Sequence, residues 1–155
     1  MNNNSFPGLL RAATLVLIVS GFVASSTLVM AESDSRPGNR PCSNRTLSGD
    51  YGSALEGTIV GPNVLLRGVV MAHYDGRGHM TQVDHVVDSG NPPAQEWAPG
   101  MGTYTVNPDC TGTAVINTSS NPFPLTVHFV VVKHGTEIHS VVDGNAVSAV
   151  AYKVD

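Results

Sequence analysis

Gly102-Thr103-Tyr104-Thr105-Val106-Asn107-Pro108-Asp109-Cys110-Thr111-Gly112-Thr113-Ala114-Val115-Ile116 reads as strand, tight turn, strand. Thr, Tyr and Val up to the turn, and Thr, Val and Ile after it, suit a pleated, half-buried surface. Asn-Pro-Asp supplies the turn: proline presets its own φ, and Asn and Asp hydrogen-bond to nearby backbone. Cys110, one of only two cysteines, lies where the turn passes into the second strand, so this hairpin also anchors any covalent tie.

Working outward, the same alternation of strand runs and turn residues covers the chain from Cys42 onward. Residues 47–52 lead into a first strand over 53–60, closed by Gly61-Pro62-Asn63. Residues 64–74 form a Val- and Leu-rich strand in which Gly68 permits a bulge or a sharp bend. Asp75-Gly76-Arg77-Gly78 is a hairpin loop with positive-φ positions, and 79–87 is the returning strand. Residues 88–93 close that strand, and 94–101 read as an irregular excursion carrying the only tryptophan, Trp97. After the central hairpin come a loop over 117–124 and strands over 125–133, 136–142 and 146–154. No ten-residue stretch of this region keeps a helical apolar period without a Gly, a Pro or a β-branched cluster breaking it.

About eight consecutive strands joined by short turns predict a small antiparallel up-and-down β-barrel, because closure removes exposed sheet edges. A two-sheet β-sandwich is the alternative. Interiors of such barrels are filled by side chains or hold one small ligand. Gly68, Ala72, Ala114, Ser140 and Ser148 are small enough to leave room. The last strand is apolar on both parities, with Ala146, Val147, Ala149, Val150 and Ala151. That pattern fits an element whose outside is covered by a partner subunit, as in a homodimer, or by another segment.

Residues 1–31 read as a cleavable signal peptide: Arg11 is the positive group, 12–29 is almost wholly apolar, and Val29-Met30-Ala31 fits a cleavage site. A retained membrane anchor is the alternative, since the apolar run approaches the ~20 residues that span a bilayer. Residues 32–41 have nothing to bury and read as a flexible leader, leaving 42–155 as a single domain. No stable membrane span is expected after cleavage. An exported chain, secreted or periplasmic, meets an oxidising compartment, so Cys42 and Cys110 are expected to form a disulfide; two free thiols are the competing reading. Losing Arg11 leaves seven Lys and Arg against twelve acidic residues, with no basic stripe, which argues against nucleic acid as a partner.

The six histidines are His73, His79, His85, His128, His134 and His139. Strand parity puts His79 and His85 on one face of the third strand, and His128 and His134 on one face of the sixth. His139 shares its face with Glu137 and Val141. Were His85, His128 and His139 all inward, they would make a zinc-like donor set, yet no metal-ligand spacing is present, and neither a metal nor another cofactor is expected. Asp84 and His85 face opposite ways, so both cannot lie inside, and both read as surface polar groups. Gly76-Arg77-Gly78 lacks the strand-to-helix context of a phosphate loop, and no serine sits in an esterase elbow. No residue is assigned a catalytic role. Asn44-Arg45-Thr46 and Asn117-Thr118-Ser119 are glycosylation sequons only in a host that uses them.

The order Cys42, Leu47-Ser48-Gly49-Asp50-Tyr51-Gly52, Tyr74-Asp75-Gly76-Arg77-Gly78, then the Gly102–Thr113 hairpin resembles a group of small exported bacterial proteins, over roughly residues 42 to 155. Their general appearance is similar to calycin-like barrels of the lipocalin and allene-oxide-cyclase kinds. The resemblance rests on turn and strand residues and carries over no catalytic residue. It implies an exported barrel that binds a small apolar or amphipathic ligand, with His73, Tyr74, His85 and His128 as the first candidates for contact. Two alternatives stand beside it: a structural or protein-interaction module without a cavity, and a cyclase- or isomerase-like enzyme acting by preorganisation of its cavity.

Overall fold

A computed structural model describes residues 40–154. The expected signal peptide and nearly all of the leader lie outside the described residues. Eight strands follow in order: β1 (Ser48–Ile59), β2 (Val64–Asp75), β3 (His79–Asp88), β4 (Ala98–Val106), β5 (Thr111–Thr118), β6 (Leu125–Val132), β7 (Glu137–Val142) and β8 (Ala146–Lys153). Each pairs antiparallel with the next, and β8 pairs with β1, so the sheet is a closed barrel rather than a sandwich. No helix among the described residues is long and apolar enough to cross a membrane.

Two boundaries differ from the sequence reading by more than two residues, for one reason. β1 starts at Ser48, five residues before the expected strand, and β4 starts at Ala98, inside the expected excursion. Both extensions are rich in Gly or Pro, which weakens local strand preference. Each is recruited by a neighbour already in place: Ser48 to Gly52 pair with β2, and Ala98 to Gly100 pair with β3. At Gly68 the ladders to β1 and β3 run on without a bulge. A Cβ there would stand 2.8 Å from the His85 carbonyl oxygen, closer than any side chain tolerates.

The strands are staggered. Tyr51, Ala72, Gln82, Gly100 and Thr118 pair successively across β1 to β5. That row starts near the beginning of β1 and climbs to the last residue of β5, which is the tilt barrel closure requires. All five of these residues face inward, and the barrel therefore has two chemically different ends.

One end is plugged by the segment before β1. Cys42 is bonded to Cys110 with Cα atoms 5.0 Å apart, and the Cys42 N–H donates to the Pro108 carbonyl at 3.1 Å. A 3₁₀ turn, Asn44–Thr46, then lets the Asn44 side-chain oxygen accept from the Val106 N–H at 2.8 Å. Leu47, 0% exposed, is driven into the barrel mouth. It meets a core of Tyr51, Tyr104, Met80, Val106, Phe129, Val131 and Ile138. Tyr74 stacks edge-on to both Tyr51 and Tyr104, with ring centroids 5.3 and 5.1 Å away. Edge-to-face pairs of this kind add to the burial gain.

Candidate functional site

At the other end the lining changes character. Inward positions Leu55, Leu66, Val86, Ile116, Leu125, Val127 and Val142 are aliphatic, and each is only half-buried although its side chain points into the barrel. Four small residues lie between this end and the plug: Gly68, Ala72, Ala114 and Ser140 all face inside, and Ala72 and Ala114 are packed into the core. Ser148, expected to share that role, is exposed on the outside of β8.

One polar cluster interrupts the aliphatic lining. Asp84 on β3 is 3% exposed and faces inward, which corrects its reading as a surface group. Its Oδ2 accepts from the Thr118 hydroxyl at 2.8 Å and from the Gln82 amide at 3.1 Å. Its Oδ1 accepts from the Ser120 hydroxyl at 3.2 Å. Thr118 and Ser120 reach Asp84 across β4, where the intervening residue is Gly100. A Cβ on Gly100 would lie 2.9 Å from Gln82 Cγ and 3.0 Å from the Asn117 carbonyl. The missing side chain is what allows β3 and β5 side chains to join over β4. Thr118 thus belongs to an interior network, and the Asn117-Thr118-Ser119 sequon of which it is the middle residue straddles the end of β5.

The four sequence candidates are not brought together. Tyr74 faces inward at the plugged end, and its hydroxyl has no hydrogen-bond partner among the described residues. Burial, with Tyr51 and Tyr104 beside it, pushes its pKa up to about 12. His73, His85 and His128 alternate to the outer face. His73 pairs with Asp50 at 2.7 Å and His128 with Asp143 at 2.9 Å, both exposed. His85 bonds to the Glu96 carbonyl at 2.6 Å and sits 5.9 Å from the Trp97 ring, tying the β3–β4 loop to the barrel wall. Since His139 is also outside, the three-histidine arrangement does not form. Among the described residues no three His, Cys, Asp or Glu side chains gather as a metal site.

Two open grooves lie on the outer surface and meet along β8. One, of about 670 Å³, crosses β8, β1, β2 and β3 and includes Ala54, Val69, His85 and Val150. The other, of about 750 Å³, crosses β5 to β8 and includes His128, Val130, His139 and Val141. Beside them Glu137 points outward yet is nearly buried, its carboxylate shared between the Lys133 ammonium and His139 Nε2. Lys133 first, then His139, hold the Glu137 carboxyl below its ordinary value, and Glu137 in turn raises Lys133. Glu137 is covered on the outer face by Lys133, which folds back over Tyr152 with its ammonium 5.9 Å from the ring centroid.

No known protein-family model matches the sequence, and no curated protein sequence matches it. The fold, eight antiparallel strands closed in sequence order, is consistent with calycin-like barrels in the broad sense.

Proposed function

We propose that this chain binds a small apolar or amphipathic ligand inside the open half of its barrel. The carrying observation is the division of the interior: aromatic packing and a disulfide-tied plug at one end, half-exposed aliphatic side chains at the other. Concave, mostly apolar sites with a few placed polar groups are the usual form of small-molecule pockets. A cyclase- or isomerase-like reaction would use the same space, with Asp84 and Tyr74 among the inward titratable groups. Export to a secreted or periplasmic location is part of this reading, supported by residues 1–31 and by the Cys42–Cys110 bridge. Kinship with small exported bacterial barrels is likewise proposed, on the Gly102–Thr113 hairpin pattern.

The test is methyl NMR of the purified chain titrated with octan-1-ol. Binding inside moves the methyl signals of Leu55, Leu66, Val86, Val127 and Val142, and leaves Val69 and Val150 in place. The reverse pattern favours a protein-interaction module. That second reading has its own observation: Val69, Met71, Val83 and Tyr152 are exposed on neighbouring strands around Gly52 and Ala54.

A further inference from the structure

Asp84 is a carboxylate in an otherwise aliphatic enclosure. Among the described residues no Lys, Arg or His lies within ion-pair distance of it. Burying an ionised group without a counter-charge is costly, and neutral hydrogen bonds offset only part of that cost. The unfilled hydrogen-bonding capacity around it is mostly of one kind. A carboxylate accepts at about four lone-pair positions; the two on Oδ2 are taken by Thr118 and Gln82, and Oδ1 has only Ser120. The Thr118 hydroxyl donates to Asp84, and the Ser120 hydroxyl stands 3.2 Å from Asp84 Oδ1 and 3.0 Å from Thr118 Oγ, so both hydroxyls are engaged inside the cluster and offer a newcomer oxygen lone pairs. Gln82 gives one amide N–H to Asp84 and keeps the other, and its carbonyl oxygen has no partner among the described residues; Gln82 itself is half-buried. Apart from that second Gln82 N–H, what the cluster still presents is acceptor oxygen, around a carboxyl group, beside apolar walls.

We propose that the Asp84–Gln82–Thr118–Ser120 cluster is the receptor for the ammonium group of an apolar amine whose hydrocarbon part lies against Leu66, Val86, Val127 and Val142. This deepens the interior-binding reading and rests on it. A protonated primary amine supplies three N–H donors and the missing positive charge. A carboxylic acid of the same length brings a second negative charge to the cluster and is rejected, while an alcohol offers one neutral donor.

The probes are octylamine, octan-1-ol and octanoate at neutral pH, below their aggregation limits, with binding to the purified chain followed by calorimetry and by the interior methyl signals. Octylamine is expected to bind at least about tenfold tighter than octan-1-ol, and octanoate the weakest. Asp84→Asn, which keeps the shape and removes the charge, is expected to abolish the preference for amine over alcohol and leave alcohol affinity within about twofold. Equal binding of the three probes, or a preference that survives in Asp84→Asn, overturns the ammonium assignment while interior binding stands. If none of the probes moves the interior methyls, the interior reading itself falls, and this one with it. Should Asp84→Asn fail to fold, the wild-type chain decides. Trimethyloctylammonium keeps the charge but has no N–H donor, and is expected to bind at least about fivefold more weakly than octylamine; equal binding overturns the assignment.

Discussion

The hydroxyl of Tyr104, in the middle of the barrel wall, donates to the carbonyl of Leu47 at 3.0 Å, across 57 residues of sequence. Its other contact, the Asn44 carbonyl at 3.2 Å, belongs to the same plug. Tyr104 thus supplies carbonyl partners for a segment that has no strand of its own to pair with. In Tyr104→Phe the ring packing stays and the Leu47 carbonyl loses this donor, while the Asn44 carbonyl keeps the Leu47 N–H at 3.1 Å. We expect a loss of about 1 kcal/mol in urea unfolding, the typical net worth of such a bond. An unchanged midpoint would mean that water replaces the hydroxyl.

Leu47 is the apolar anchor of that plug. Leu47→Ala should destabilise by about 3 kcal/mol, because the side chain is fully buried among aromatic rings that cannot close the gap. Replacing both Cys42 and Cys110 by Ala should cost about 4 kcal/mol on the loop-entropy estimate for a bridge spanning 68 residues. Denaturant titration checks both, and a cost below 1 kcal/mol for Leu47→Ala would show that the plug is dispensable.

Gly100 can be tested against Gly61. Gly100→Ala forces a Cβ between Gln82 and Thr118 and should destabilise by about 1–3 kcal/mol, the usual range for overpacking. Gly61 has open space around its Cβ position, so Gly61→Ala should be close to neutral. Interior methyl and amide signals near Asp84 should move in the first variant alone. Equal thermal midpoints for the two variants would show that β4 yields to the added methyl.

The Asp75 carboxylate caps the β2–β3 hairpin loop by accepting from the N–H groups of Arg77, Gly78 and His79. These bonds, led by the one from His79, lower its pKa from 3.8 to about 2. The depressed value makes the ionised form the one the fold prefers. The stabilisation is present above pH 4 and is lost as pH falls from about 4 through 2, where the unfolded chain takes its proton first. A carbon-detected NMR titration should find the Asp75 midpoint near 2; a midpoint near 4 would refute the cap.

At the alkaline limit the sign is reversed. Tyr74, raised from 10.0 to about 12, is kept neutral by the fold. The stabilisation is complete below pH 10 and is lost as pH rises from 10 through 12, because the unfolded chain releases the proton earlier. Tyrosinate absorbance should therefore show a late phase that Tyr74→Phe removes. If Tyr74→Phe leaves the curve unchanged, the late phase belongs to Tyr51 or Tyr104, both also raised by burial.

Much of the architecture was legible because strand signals are local. The hairpin turns at Asp75 to Gly78 and at Asn107 to Cys110 are made by residues whose own geometry demands them, and both appear where expected. Cys110 adopts φ +68°, in the left-handed region, to pass from the turn into β5. The boundaries of β1 and β4 were not legible, because their first residues pair only after a neighbouring strand has formed. The site was less legible still. Parity correctly separated Asp84 from His85, but period 2 says only that two residues face opposite ways, and never which face is inside.

By itself, the order of apolar, turn and cysteine residues determined an all-β chain of eight strands with one covalent tie, since backbone preference and alternation act over a few residues. Only closure of the barrel decided the rest. Pairing of β8 with β1 set the stagger that carries Gln82, Gly100 and Thr118 onto one row. It turned three candidate histidines outward and Asp84 inward. Those outcomes depend on contacts between residues tens of positions apart, whose free energy exists only when all eight strands are in register.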